Sequence, residues 1–336
     1  MKDFLSGKTL SELKEIVSAT GMPAYSAGQI ADWLYKKKVR EIGEMNNISK
    51  KFQTKLSGSF EIGCSFPVNF QRSKDGTIKY LFQTHHRHFI ESVFIPDNDR
   101  ATLCISSQIG CKMNCVFCMT GKQGFSGNLS AGEIINQIQS IPESDQLTNV
   151  VFMGMGEPSD NTDEVLKALE ILTSDYGYAW SPKRITVSTI GILKTIDRLL
   201  NETNCHIAIS VHSPFPEKRA ELVPMEKTNP IKKIIEIIRQ HDFSGQRRIS
   251  FEYILFKGVN DSFIHAKELV RLLSGIPCRV NLIRFHRIPG VDLESPDQAA
   301  IENFQHHLTS KGVICTLRKS RGEDIFAACG MLSSKK

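Results

Sequence analysis

Three cysteines, Cys111, Cys115 and Cys118, fall within eight residues in a C-x3-C-x2-C spacing. Cys104 stands seven residues upstream, and Cys329 lies in the small-residue stretch AACGM close to the C terminus. Soft thiolates at short spacing suit zinc or an iron–sulfur cluster. Structural zinc takes four closed ligands, often from two C-x2-C knuckles, but the local count here is three and no such partner pair follows. A cubane cluster is usually held by four cysteines. Three would leave one iron open to a small molecule, which is the logic of a reactive centre. Cys104 reads either as a small buried strand residue or as a free thiol kept near that centre. The small neighbours of Cys329 permit close approach by another group.

The elements that must position these thiols can be read from pattern. With 336 residues, 40% of them hydrophobic, the chain has material for one large domain and a smaller one. Residues 4 to 57 look helical: TLSELKEIVSAT and SAGQIADWLYKKK carry apolar residues at three- and four-residue spacing, broken by Gly21–Pro23. GTIKYLFQT and HFIESVFIP then read as strands, with Lys74–Gly76 as a hairpin turn. From Arg100, strand-like runs alternate with helical ones: ATLCISS, TNVVFMGM, RITVSTIG, HIAISVHS, RISFEYILF, RVNLIRF and a last VICTLRK. Ser130 and Thr162 sit at plausible N-caps. Such alternation predicts a parallel sheet, either a partial barrel or an open doubly wound sheet. Expected domains are 1–95, 96–320 and a C-terminal segment 321–336.

In parallel α/β architectures ligands gather at the carboxyl ends of the strands. The cysteine run follows the first of these strands and GMGEP (Gly154 to Pro158) the second. Ser188 lies near the end of the third, SVHS (Ser210 to Ser213) closes the fourth, His286 follows the sixth, and Cys329 follows the last. Far apart in sequence, these positions face one mouth in such a fold.

Composition bounds the setting. No run of about 18 apolar residues argues for a membrane span, and the start lacks the apolar block of a signal peptide. A cytoplasmic protein is expected, in which nine cysteines are ligands, catalytic thiols or packing residues rather than a disulfide framework. A formal charge of +6 tilts the chain towards acidic partners. The basic run KKKVR (Lys36 to Arg40) reads either as a solvated helix end or as a phosphate-contacting patch.

The cysteine spacing after a first barrel strand, with Phe117 before Cys118, resembles the radical S-adenosylmethionine (SAM) enzymes. CISSQIGC, CVFCMTGKQGF, FMGMGEP, SVHSP, NDS and DIFAACG together, over nearly the whole chain, resemble the RlmN family of adenosine C2-methyltransferases. The resemblance implies a partial (β/α)6 radical SAM barrel with a small N-terminal helical accessory domain and a β-hairpin extension. It implies a 4Fe-4S cluster on Cys111, Cys115 and Cys118, and two SAM molecules per turnover. Gly156, Glu157, Ser188, Ser210, Val211 and His212 match SAM-contacting positions. His286 does too, although His stands where family members usually carry Asn.

The chemistry it implies uses both outlying thiols. Adenine C2 is too poor a nucleophile to attack a sulfonium methyl directly. Cys329 would take a methyl group from one SAM, and a radical made from the second would remove hydrogen from that methyl. The carbon radical would then add to C2. Cys104 would take the C2 proton, and the link would resolve with a Cys104–Cys329 disulfide. Glu91 matches a carboxylate described as a proton acceptor. Implied partners are 23S rRNA, tRNA and a low-potential electron donor such as flavodoxin, and a monomer is expected. Two alternatives remain at this point: C8 methylation, as in the sister Cfr family, and a zinc-stabilised RNA-binding protein without catalysis.

Overall fold

The computed structural model describes residues 2–243 and 247–333. Ten strands form one sheet: β1 (Asn69–Arg72), β2 (Ile78–Gln83), β3 (Phe89–Asp97), β4 (Arg100–Cys104), β5 (Asn149–Phe152), β6 (Ile185–Thr189), β7 (His206–Ser210), β8 (Ile249–Leu255), β9 (Cys278–Arg284) and β10 (Ile314–Leu317). Their spatial order equals their order in the chain. From β4 to β10 every pairing is parallel, whereas β1 to β4 pair antiparallel. A doubly wound sheet reverses its strand order at a switch point, and no reversal occurs here. Consistently handed crossovers then put the helices on one outer face. The architecture is therefore a curved, partial parallel α/β barrel extended at one edge by an antiparallel ribbon.

Helices pack their apolar stripes on the sheet. Ile231, Ile234, Ile235 and Ile238, at helical spacing in Ile231–Arg239, are all buried. Ser130 caps Ala131–Gln139 in a reciprocal box with Glu133. At the helix Thr162–Thr173 the cap position falls one residue earlier than the sequence suggests: it is Asn161, and Thr162 is already helical. The Asn161 amide makes no cap bond. It donates instead to the carbonyls of Ser107 and Leu129, at 2.9 and 2.8 Å, fastening the loop after β4.

The N-terminal helices Leu10–Thr20, Ser26–Ala31 (continued by a wider turn over Asp32–Lys36) and Lys50–Ser59 form their own small layer. The basic run is largely spoken for within the protein. Lys36 and Lys37 pair with Asp32, Lys38 pairs with Asp145 at 2.6 Å, and Arg40 donates to Ser140 and lies over the Phe66 ring. Lys38 and Arg40 thereby tie the helical layer to the barrel. The Lys74–Gly76 turn joins β1 to β2, with β1 a strand that the sequence pattern did not mark. Among the described residues no helix is long and apolar enough to cross a membrane.

Candidate active site

The loop after β4 carries the three clustered cysteines. Its path depends on Gly110, at φ +77°, where a Cβ would lie 1.8 Å from the Gly124 carbonyl oxygen. That contact lets the Cys111 N–H donate to Gly124 at 2.9 Å. Val116 N–H donates to Leu222, and Cys118 N–H to Cys115. Cys111 and Cys115 are buried and Cys118 partly so. Burial pushes the Cys111 thiol up to about 12, and burial with the neighbouring thiols raises Cys115 well above its usual value. Three thiols so placed ionise only if a cation compensates them. Among the described residues no three ligand side chains converge on one metal ion. All three cysteines line one cavity, a placement suited to a cluster in which each thiolate binds a different iron.

The opposite wall comes from strand ends. Gly156, at φ +99°, passes so close to Gln108 that a Cβ would meet its backbone nitrogen at 2.7 Å. Glu157 is buried. One of its oxygens accepts from Ser159 N and Oγ, the other from Ile190 N at 3.0 Å. Burial raises its pKa, and these hydrogen bonds only partly offset that. A cationic ligand in the cavity would favour its ionised form. Ser188 and Ser210 line the cavity at the ends of β6 and β7. His212 follows at φ +57° and packs edge-on against Phe117 at 4.8 Å. Its Nδ1 accepts from Ile254 N–H at 3.1 Å, which leaves the proton on Nε2. Burial and Arg219 hold this imidazole down to about 3, so it is neutral.

Cys329 enters the same cavity from the C-terminal segment. That segment is fastened to the cysteine loop: Met119 N–H donates to the Gly330 carbonyl at 2.8 Å, and Thr120 Oγ1 donates to the Leu332 carbonyl at 2.8 Å. Cys329 remains solvent-accessible yet is walled in, and this pushes its thiol up to about 11, with Arg318 pulling the other way. Cys104, at the end of β4, is buried. Burial first, and the nearby Cys329 second, push its thiol up to about 12. All nine cysteines are free thiols in this state.

The remaining sequence candidates lie outside the cavity wall. Glu91, on β3, pairs with Lys79 at 3.0 Å and accepts from Ser333 N–H at 3.0 Å, four residues past Cys329. Burial raises its pKa. His286 Nδ1 lies 3.2 Å from Glu323, ahead of the Cys329 segment. Val211 is fully buried and takes part through its backbone, donating to Glu252 and accepting from Arg219.

Four side chains escaped the sequence reading. Arg219, fully buried, pairs with Glu226 and donates to the carbonyls of Val211, Ile190 and Ser210, knotting the ends of β6 and β7. Its setting, PEKRAEL, looks like an exposed helix face. Asn260 donates to the carbonyls of His212 and Ile254, both at 2.7 Å, and holds the His212 turn. Asp75, in the hairpin turn, accepts from Gly322 N–H at 2.9 Å and so anchors the C-terminal segment. Glu252 lines the cavity. Its Oε1 pairs with Arg318 at 3.2 Å, while its Oε2 is buried without a hydrogen-bond partner. An orphaned carboxylate oxygen and a glycine cradle on the walls, with three thiols on the floor, fit a bound cluster and a polar cationic ligand.

Comparison with known proteins agrees with this geometry. Residues 105–270 match the radical SAM superfamily, and residues 5–62 match the ribosomal RNA large subunit methyltransferase N-terminal domain. The chain is 62% identical over 332 residues to a probable dual-specificity RNA methyltransferase RlmN of Parabacteroides distasonis, covering 99% of this chain and 97% of that one. It is 41% identical to the dual-specificity RNA methyltransferase RlmN of Nautilia profundicola, covering 96% of each. A radical SAM methyltransferase from Sphaerobacter thermophilus superposes with a TM-score of 0.92 at 38% identity, covering 99% of this chain and 100% of that one.

Proposed function

Because the chain belongs to the RlmN family of dual-specificity RNA methyltransferases, within the radical SAM superfamily, we propose that it methylates C2 of adenosine in 23S rRNA and tRNA through a methyl group carried on Cys329. The family's cofactors are a 4Fe-4S cluster and SAM. Bound together they supply a carbon radical able to take hydrogen from an unactivated methyl group. The reading as a non-catalytic zinc protein gives way to an enzyme.

The chain's own residues take these parts. Cys111, Cys115 and Cys118 would hold the cluster. Gly156 and Glu157 take up the ammonium of SAM, and the neutral His212 presents Nε2–H beside Ser188 and Ser210. The Cys329 thiolate attacks a sulfonium methyl: its S–C bond forms as the sulfonium C–S bond breaks, and a thioether leaves. After hydrogen loss the Cys329-bound carbon joins C2 of an adenine withdrawn from its stack. Cys104 takes the C2 proton, and one electron leaves the adduct to the redox partner. The Cys104 thiolate then attacks the Cys329 sulfur: the S–S bond forms as the S–C bond breaks onto the bridging carbon, which takes up a proton to become the methyl group. Glu91, engaged by Lys79 and Ser333, positions the segment that carries Cys329. Such work on RNA belongs to the cytoplasm, with an electron donor such as flavodoxin.

One observation supports this reading most: the Met119–Gly330 hydrogen bond, at 2.8 Å, brings Cys329 into the cavity of the three clustered cysteines. The test is anaerobic incubation of the reconstituted enzyme with SAM, reductant and unmodified RNA, followed by mass spectrometry of the nucleosides. The reading expects 2-methyladenosine. A product of 8-methyladenosine would move the enzyme to the sister chemistry, and no methyladenosine would end the proposal.

A further inference from the structure

The sheet face that carries Cys104 continues beyond the cavity. In register, Cys104 stands opposite Val93, Val93 opposite Lys79, and Lys79 opposite Gln71. Residues directly opposite in antiparallel strands share a face. The next row on that face runs Glu91, Leu81, Asn69, and the row after pairs Phe89 with Gln83. Together these rows line a groove along β1 to β3. The reverse face of β2 is buried through Ile78, Tyr80 and Phe82, so the ribbon's packing needs are met on the other side.

The groove's chemistry is specific. Leu81 and Phe89 are half-buried and make an apolar floor, while Asn69, Gln71 and Gln83 are exposed. The Asn69 carbonyl oxygen is held by Phe70 N–H at 2.8 Å, which leaves its amide nitrogen free to face outward. Side-chain amides beside an aromatic ring match the edges and faces of an unstacked base. The groove also adjoins the active site. Lys79 bridges Glu91 and the Phe326 carbonyl, three residues before Cys329, and Glu91 holds Ser333, four residues after it. The middle strand lies two strand spacings from Cys104, about 10 Å, which a nucleotide step or two covers.

We propose that this groove binds the nucleotide next to the target adenosine in the RNA strand. The proposal rests on the reading of the protein as an RNA methyltransferase. Withdrawing the target base deprives its neighbour of a stacking partner, and the groove supplies a ring to stack on and amides to meet the base edge. This gives β1 to β3 a role in choosing the sequence around the methylated adenosine.

The test uses anaerobic holoenzyme and an RNA hairpin substrate, intact or with an abasic site next to the target adenosine. Binding is read by fluorescence anisotropy. Removing the neighbouring base should weaken binding to wild type about five- to tenfold, as for one stacked base. The variant Gln71→Ala/Gln83→Ala/Phe89→Leu should bind intact RNA weaker by a similar factor, and the abasic change should cost it nothing more. The double variant Gln71→Ala/Gln83→Ala, altered only at exposed amides, should show the same trend with iron content and melting temperature unchanged. A 4-thiouridine at the neighbouring position should photocrosslink within residues 66–91. Losses that multiply independently, or crosslinks confined to other segments, would overturn the subsite. If wild type methylates its RNA, such a result leaves the methyltransferase reading standing. If wild type makes no methyladenosine, the underlying reading fails with the subsite.

Discussion

Replacing Arg219 with methionine tests the claim that a buried cation holds together the cavity wall at the ends of β6 and β7. The side chain is fully buried. It pairs with Glu226 and donates to the carbonyls of Val211, Ile190 and Ser210 at 3.0, 3.0 and 2.9 Å. Methionine fills a similar volume but makes none of these bonds. Glu226 is then left charged, buried and unpaired, apart from the bond it accepts from Ile231 N–H at 2.9 Å. Removing one partner of a buried pair typically costs about 3–5 kcal/mol. For a chain of 336 residues the unfolding entropy is about 0.7 kcal/mol/K, so the melting temperature should fall by about 4–7 °C. The assay is thermal unfolding of cluster-free protein by circular dichroism, so that cluster loss does not enter. Adding Glu226→Leu should restore part of the loss, since the stranded charge goes with it. A single Arg219→Met variant melting within about 1 °C of wild type would refute the reasoning.

Two further perturbations probe other parts of the frame. Asp75→Ala removes the acceptor for Gly322 N–H. A hydrogen bond to a charged group contributes about 1.5–3 kcal/mol, so hydrogen exchange should quicken across residues 322–328 while iron content after reconstitution stays the same; unchanged exchange would contradict the anchoring role. His206, at the start of β7, accepts from Arg248 N–H and is held down to about 4 by burial and then by Arg248, Arg247, Lys183 and Arg279. The unfolded chain takes up this proton near 6.5 and the folded chain does not, so the stability this imidazole confers is complete above pH 6.5 and is lost as pH falls towards 4. His206→Asn keeps an acceptor but does not titrate. Relative to wild type it should therefore gain stability between pH 7.5 and pH 5 in urea unfolding, and parallel pH profiles would refute the assignment.

Legibility in the sequence followed local signals. All seven parallel strands are apolar runs set between helices, and their periodicity marks them. The cysteine loop, GMGEP and SVHS were found because unusual residues stand at strand ends, where this architecture exposes them. β1 was not legible: Asn69–Arg72 is polar, exposed and without alternation, and only pairing with β2 makes it a strand. Arg219 and Asn260 look like solvated helix and turn residues, because nothing local shows that the chain folds over them. Asp75 reads as an ordinary turn former, yet it receives a partner 247 residues away. Asn161 and Thr162 both make plausible caps, and the choice is set by the carbonyls of Ser107 and Leu129, which lie far off in sequence. Likewise, sequence cannot show that Gly330 meets Met119, the contact that brings Cys329 to the three-cysteine loop.

The most direct test of the account is a Cys104→Ala variant, reconstituted anaerobically and given SAM, reductant and unmodified RNA. If Cys329 carries the new carbon and Cys104 removes the C2 proton, the variant should stall with RNA covalently joined to the protein. Peptide mass spectrometry should then place the one-carbon bridge on Cys329. Normal turnover by this variant, or an RNA link on any other residue, would contradict the account.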